Sequence, residues 1–203
     1  MSNEAHFSRR LGDIATISSG YPLRGAIEVL EEGDVRLVQL KHMSTEADID
    51  WDAVPMVSLP PVRKHAWLTD ADVIFASRGT RTLAYPLVNT PPRTVCAPQF
   101  FVLSISNTDT LAPPFLAWQI NQRPAQDYFR SNATGSYIQN IRREVVENLV
   151  IAVPPMREQQ LIVEFWRAAQ RERAALNHLI QNRNTQLEAL ALRLLQHPTG
   201  ANA

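Results

Sequence analysis

Between Arg157 and Gln196 the chain runs for forty residues without a glycine or a proline. Glu, Gln, Leu, Arg and Ala fill most of the run, and all but the scattered polar exceptions favour helix. At 1.5 Å per residue, forty helical residues extend about 60 Å. That is longer than the rest of a 203-residue chain can cover with its own core. Apolar residues return at three- and four-residue steps: Ile162, Phe165, Ala169, Leu176, Leu179 or Ile180, Leu187, Leu190 or Ala191, and Leu194. The steps slip through the polar patch "QNRNTQ" at 181–186, as at a coiled-coil stutter. Part of the stripe is therefore expected to meet another helix, with Leu176, Leu179, Ile180, Leu187, Leu190 and Leu194 as the seam of a dimer. The competing expectation is a helix folded back on its own head.

The entry to this run is "IAVPPMREQQLIVEFW", residues 151–166. Proline cannot continue a sheet ladder, so Pro154-Pro155 closes a last strand. The second proline pre-sets the backbone for helix entry, and Glu158 in the first turn complements the helix dipole. Phe165 and Trp166 are expected to pack where head meets rod or against a partner. The chain divides into a head, 1–155, a long helix, 156–197, and a disordered tail, 198–203.

The head reads as irregular and β-rich, so the chain is α/β (α+β) with one long C-terminal coiled-coil helix. Leu11, Ile14, Ala15 and Ile17 suggest a turn or two of amphipathic helix closed by Ser18-Ser19-Gly20. "VRLVQL" and "DADVIFASRGT" read as strands, the second ending in a Ser-Arg-Gly turn. "TLAYPLV" and "TVCAPQFFVLSI" are proline-interrupted strands, expected at edges or bulges. A helix is expected from Pro113-Pro114, and a second short one around Ala125, Tyr128 and Phe129. "TGSYIQNI" is a turn, and "REVVENLVIAVPP" a small turn into the last strand.

The motifs of catalysis are missing. There is no Gly-Lys-Ser/Thr phosphate loop. Lys41 follows Gln39 and Lys64 follows Val62, so neither makes the acid-x-lysine of a nuclease core. "NTPPR" (89–93) lacks the aromatic residue of an adenine-methyltransferase motif and reads as a proline-rich turn. His6, His42, His65, His178 and His197 have no ligand spacing, so no metal site is expected. The single cysteine, Cys96, excludes an internal disulfide and reads as a buried structural residue. No segment approaches a membrane span or a signal peptide, and the expected location is cytoplasmic.

Twenty basic residues balance twenty acidic ones, which argues against a lone nonspecific nucleic-acid binder. The distribution is uneven. Residues 26–52 carry Glu28, Glu31, Glu32, Asp34, Glu46, Asp48, Asp50 and Asp52 against Arg36 and Lys41, while 123–143 carry Arg123, Arg130, Arg142 and Arg143 against Asp127. All but two of the basic residues are arginine, the better residue for forked contacts to phosphate and guanine, although a GC-rich genome gives the same bias.

Four segments carry a family likeness. "ENLVIAVPPMREQQLIVEF" resembles the strand-to-helix junction of specificity (S) subunits of type I restriction–modification enzymes. "LGDIATISSGYP" looks like the entry to their target-recognition domains. "DADVIFASRGT" is similar to their "GD-apolar-apolar-SR-G" strand and turn, with Ala71 where glycine is usual, and "TGSYIQNI" to the turn before their final strand. The order of the segments matches too, over about residues 8–196. Such subunits usually carry two recognition domains and two helices packed antiparallel. This chain has one of each, with no internal repeat, and resembles a half-S form.

The resemblance implies a non-catalytic subunit that reads double-stranded DNA and docks N6-adenine methyltransferase (M) subunits. S-adenosylmethionine is expected on the M subunit, no cofactor on this chain, and a restriction (R) subunit is an optional third partner. Two copies would pair as a homodimer through their helices and read a bipartite inverted repeat. The alternative is an adaptor or regulator of a methyltransferase that keeps the fold and reads no DNA.

The leading contact candidate is "SRGTR": Ser77, Arg78, Gly79, Thr80 and Arg81. Glycine permits close approach, and two arginines flank a hydroxyl suited to phosphate. An ordinary solvated turn is the equal competitor. Tyr137, Gln139 and Asn140 follow, because Gln and Asn suit bidentate reading of adenine, though polar turns are common. Arg142 and Arg143 are candidate phosphate clamps, although helix N-terminal surfaces often carry such residues with no ligand, and Lys41, just after a strand, is the weakest member of the set.

Overall fold

The computed structural model describes residues 7–22, 33–44, 48–59, 67–79, 81–135 and 139–196. The head is organised around a four-stranded antiparallel sheet in the order β2-β9-β5-β7, formed by β2 (Ala15–Ser19), β5 (Asp72–Ala76), β7 (Ala84–Pro86) and β9 (Phe100–Ile105). Both faces of this sheet are covered, which is why "DVIFA" is buried throughout and reads as a continuous apolar run rather than an alternating one. Side chains of a strand alternate between faces, so Val73 and Phe75 enter one core and Ile74 and Ala76 the other.

On the first face lie α1 (Leu11–Ile14), α2 (Pro113–Ile120), α3 (Arg123–Asn132) and α4 (Arg143–Glu147), with Phe75 and Phe129 in ring contact at 4.8 Å. On the second lies a three-stranded sheet, β4-β3-β8, of β3 (Val35–Val38), β4 (Met56–Val57) and β8 (Thr94–Cys96), with β3 and β8 parallel. A short antiparallel ladder joins β1 (Phe7–Arg10) to β11 (Val150–Val153).

Several expectations need correction. The helix expected across Leu11, Ile14, Ala15 and Ile17 is one turn; from Ala15 the chain is strand β2, with Ala15 and Ile17 buried and Thr16 and Ser18 exposed. β-branched Thr16 and Ile17 suit a pleated surface, and β9 supplies the ladder. The segment "TVCAPQFFVLSI" is two strands in different sheets, parted by a turn at Pro98, and β9 is central rather than an edge. β7, with Pro86, does lie at the edge of its sheet. The turn expected at "TGSYIQNI" contains a two-residue strand, β10 (Gln139–Asn140). The tail 198–203 lies outside the described residues.

Carboxamides fasten the parts. Gln119 donates to the Ala152 carbonyl (3.0 Å) and accepts from its N–H (2.6 Å), tying α2 to β11. Asn121 makes the same two-way contact with Ala84 on edge strand β7, at 2.8 Å each way. Asp72, 5 % exposed, accepts from the Thr69 N–H and hydroxyl and from the Ser104 hydroxyl. The aspartate of the "GD-apolar-apolar" likeness is thus a structural brace. Among the described residues, no buried side-chain polar atom lacks a partner.

Cys96 is buried in the second core, and burial pushes its thiol up to about 12. Thiolate is the reactive form, so at pH 8 the folded protein should react with a thiol reagent about a thousandfold more slowly than the denatured chain. Equal rates would contradict this burial. Since the unfolded thiol ionises near 9.0, stability from this group falls as pH rises from there towards 12.

The rod is α5 (Met156–Gln196), 41 residues and about 61 Å long. Its first turns belong to the head: Gln159 is fully buried and Val163 joins the first core. From His178 to Leu195 every residue is exposed, so the helix does not fold back on its head. Trp166 is half-buried at the junction, whereas Phe165, also expected to pack there, is 79 % exposed. Among the described residues, no helix is long and apolar enough to cross a membrane.

Candidate nucleic-acid interface

Two of the sequence candidates, separated by some sixty residues, are hydrogen-bonded to one another. Strand β6 (Arg78–Gly79) pairs antiparallel with β10, Gly79 opposite Gln139 and Arg78 opposite Asn140. Ser77 builds this ladder rather than serving its surface. It is buried, its N–H and hydroxyl both donate to the Gln99 carbonyl at 2.9 Å, and its own carbonyl accepts from the Ile141 N–H. A hydroxyl spent in this way is withdrawn from any phosphate. Gly79 has φ +147°, a conformation L side chains rarely adopt, while a Cβ there would meet its neighbours only at ordinary van der Waals distance. Backbone geometry and not crowding therefore requires glycine here.

Arg78 is exposed, and its Nε donates to Asn140 Oδ1 at 3.2 Å. The Asn140 backbone is held on its other side by Thr134, through bonds of 2.9 and 3.1 Å. With Oδ1 engaged, the pair still offers donors: the terminal guanidinium nitrogens and the asparagine amide nitrogen. Half-buried Gln139 sits beside it.

Lys41 belongs to a third segment, whose Leu40 lies near Gly79. It lies in a 3-10 turn, Leu40–His42, after β3, and a Cβ built on Gly79 would stand 3.8 Å from Leu40 Cδ1. His42 accepts the Gln39 N–H at Nδ1, and its pKa is lowered first by burial and then by the Lys41 charge. Arg142 follows Ile141, whose N–H is tied to Ser77, and its carbonyl starts α4. Arg143 points into α4 and pairs with Glu147 at 2.7 Å. Such exposed pairs contribute little.

The structure does not gather every candidate here. Arg81 lines a cleft between head and rod with Trp118, Asn121, Arg167, Arg171 and Arg173. Its charge opposes the upward pull of burial on the Tyr85 phenol. The arginines of "RAAQRER" (167–173) went unmarked in the sequence because they sit in a helix read only for its apolar stripe. Thr80 and Tyr137 lie outside the described residues, where nothing bears on them.

Residues 6–189 match the model of the type I restriction modification DNA specificity domain. The chain belongs to that family. Its fold is similar to the S subunit of a type I restriction–modification system from M. genitalium, with TM-score 0.60 and 15% identity over 98% of this chain and 48% of that one. It is also similar to the HsdS subunit from Thermoanaerobacter tengcongensis, with TM-score 0.61 and 18% identity over 98% of this chain and 51% of that one. A third match, with TM-score 0.68 and 18% identity, covers 97% of this chain and 46% of a chain from a study of complex assembly and conformational transition of the type I R-M system. The chain thus spans about half the length of these solved structures. No curated protein matches it by sequence.

Proposed function

We propose that this chain is the DNA sequence-specificity subunit of a type I restriction–modification complex, reading one half of a bipartite site. The carrying observation is the specificity-domain match over residues 6–189 in a chain whose head bears a rod with its outer apolar residues uncovered. Pairing two copies through the rods would rebuild a two-headed arrangement, and the two-fold symmetry would make the target an inverted repeat. The subunit works in the cytoplasm and performs no chemistry. N6-adenine methyltransferase subunits docked on it bring S-adenosylmethionine, and a restriction subunit joins where the system cleaves.

Arg78, Asn140 and Gln139 form the reading edge in this proposal, with Lys41, Arg142 and Arg143 as phosphate contacts around it. An edge of donors matches the two acceptors of guanine in the major groove better than adenine, which needs a donor and an acceptor. Arg78→Ala should lower methylation of the site about ten- to a hundredfold while the complex still assembles. Arg142→Ala should weaken binding on all sequences alike and flatten its salt dependence. Unchanged methylation by the Arg78→Ala/Arg81→Ala double variant would remove this loop from the reading.

The experiment for the whole proposal is a genome-wide map of N6-methyladenine with and without this gene. Loss of methylation at one bipartite inverted repeat is expected. Methylation that persists at every motif, with the methyltransferase expressed, would favour the adaptor instead.

A further inference from the structure

The outward stripe of α5 has a regularity that the heptad pattern hides. Leu161, Glu172, Arg183 and Leu194 follow one another at intervals of eleven residues. Phe165, Leu176 and Leu187 form a second such series, and Ala168, Leu179 and Leu190 a third. Eleven residues make nearly three whole turns, so the three series lie on one face from end to end. The slip at 181–186 is part of this repeat, with Arg183 at a seam position. At about 100° per residue, this face lies away from the head side of the rod, where Val163, Trp166 and Gln170 are sheltered. All its members are exposed, Leu161 at 58 % and Leu194 at 79 % among them.

Between Leu161 and Leu194 the only charges on this face are Glu172 and Arg183, placed symmetrically about a point between Asn177 and His178. We propose that a second copy of this chain covers the face, antiparallel, in the one register that sets Glu172 of each chain against Arg183 of the other. It rests on the reading that two copies pair through their rods, and adds which residues fix direction and register. In that register Leu176 meets Leu179 of the second copy, Ala168 meets Leu187, Phe165 meets Leu190, and Leu161 meets Leu194. Every apolar member of the stripe gains an apolar partner, and the ion pair occurs twice.

The alternatives are worse for a stated reason in each case. Sliding the antiparallel pair by one eleven-residue repeat sets Arg183 against Arg183, or Glu172 against Glu172 in the other direction. A parallel pair in register sets both like charges together. A staggered parallel pair has no two-fold axis and leaves a seam that does not close. Like charges in a desolvated seam are strongly disfavoured, so two residues reject the competing arrangements. The rod length fits as well. The proposed register places position 159 of one chain beside position 196 of the other, so each rod ends beside its partner's first turns and the two Gln159 positions are held about 55 Å apart.

The test is charge reversal read by sedimentation of the full chain. Glu172→Arg and Arg183→Glu should each raise the dimer dissociation constant about a hundredfold, since each creates two like-charge contacts. The double variant Glu172→Arg/Arg183→Glu should restore the dimer to within about tenfold of the unmodified protein. These residues are exposed on the rod, so the head should unfold unchanged in all three. Cross-linking gives a second reading: in Ala168→Cys/Leu187→Cys, the two sites are about 28 Å apart on one helix, beyond disulfide reach. A covalent dimer should form rapidly there and not in Ala168→Cys alone; buried Cys96 does not compete. A dimer whose affinity ignores the reversals, or whose double variant stays weak, overturns the register and leaves pairing standing. An unmodified chain that remains monomeric overturns both.

Discussion

Replacing Gln159 by leucine is expected to destabilise the protein by about 3–4 kcal/mol. The residue is fully buried where the rod enters the head. Its Oε1 accepts the Ala112 N–H at 2.9 Å, and its Nε2 donates to the Thr110 carbonyl at 2.8 Å and the Pro154 carbonyl at 2.7 Å. One amide thereby joins the α2 entry, the turn before it and the proline hinge to the first turn of α5. Leucine has nearly the same volume but leaves a donor and two acceptors without partners, each costing about 1–3 kcal/mol if water cannot reach it. In a chain of this size the loss corresponds to a fall in Tm of about 10 °C. Gln159→Glu should be worse than a simple loss of one bond, because it sets a carboxylate against two carbonyl oxygens. Urea unfolding of the three proteins measures this directly. A loss below about 1 kcal/mol for Gln159→Leu would show that the hinge is held by packing alone.

The same residue shows how far the sequence could be read. A Glu-Gln-Gln helix start after two prolines marks the junction, and the forty-residue run without glycine or proline marks the rod, because both are local features. Which glutamine turns inward is not local. Gln159 is buried while its neighbour Gln160 is exposed, and the difference depends on Thr110 and Ala112, nearly fifty residues away. The candidate interface followed the same rule. Arg78 and Asn140 stood out separately as residue types suited to base edges, yet their pairing across the β6–β10 ladder, and the arrival of Leu40 beside Gly79, depend on contacts distant in sequence. Ser77 misled because a hydroxyl in a Ser-Arg-Gly turn looks available until its bond to Gln99 is known. β2 misled because Leu11, Ile14, Ala15 and Ile17 fit a helical stripe, whereas the ladder with β9 decided the matter. The parallel pairing of β3 with β8 had no signal, since among the described residues between them no α-helix announces a crossover.

The largest effect on assembly is expected from Leu187→Glu/Leu190→Glu. Both side chains are more than half exposed on the isolated rod, at 57 % and 55 %, so the substitutions cost the single chain little and the head should keep its unfolding temperature. In a pair they would carry four carboxylates into the seam, two from each chain. Each buried charge costs several kcal/mol unless paired, and with the apolar contacts of both leucines gone the dissociation constant should rise at least about a thousandfold. In the proposed register the affected contacts are those with Ala168 and Phe165 of the other copy, which offer no cation to compensate. Sedimentation should therefore find monomer at concentrations where the unmodified chain is dimeric, and methylation of a bipartite site should fail although each head still has its reading edge. A double variant that remains dimeric would refute the seam, whatever the register. A monomer that nonetheless supports full bipartite methylation would mean that the methyltransferase subunits, and not the rods, hold the two heads at their spacing.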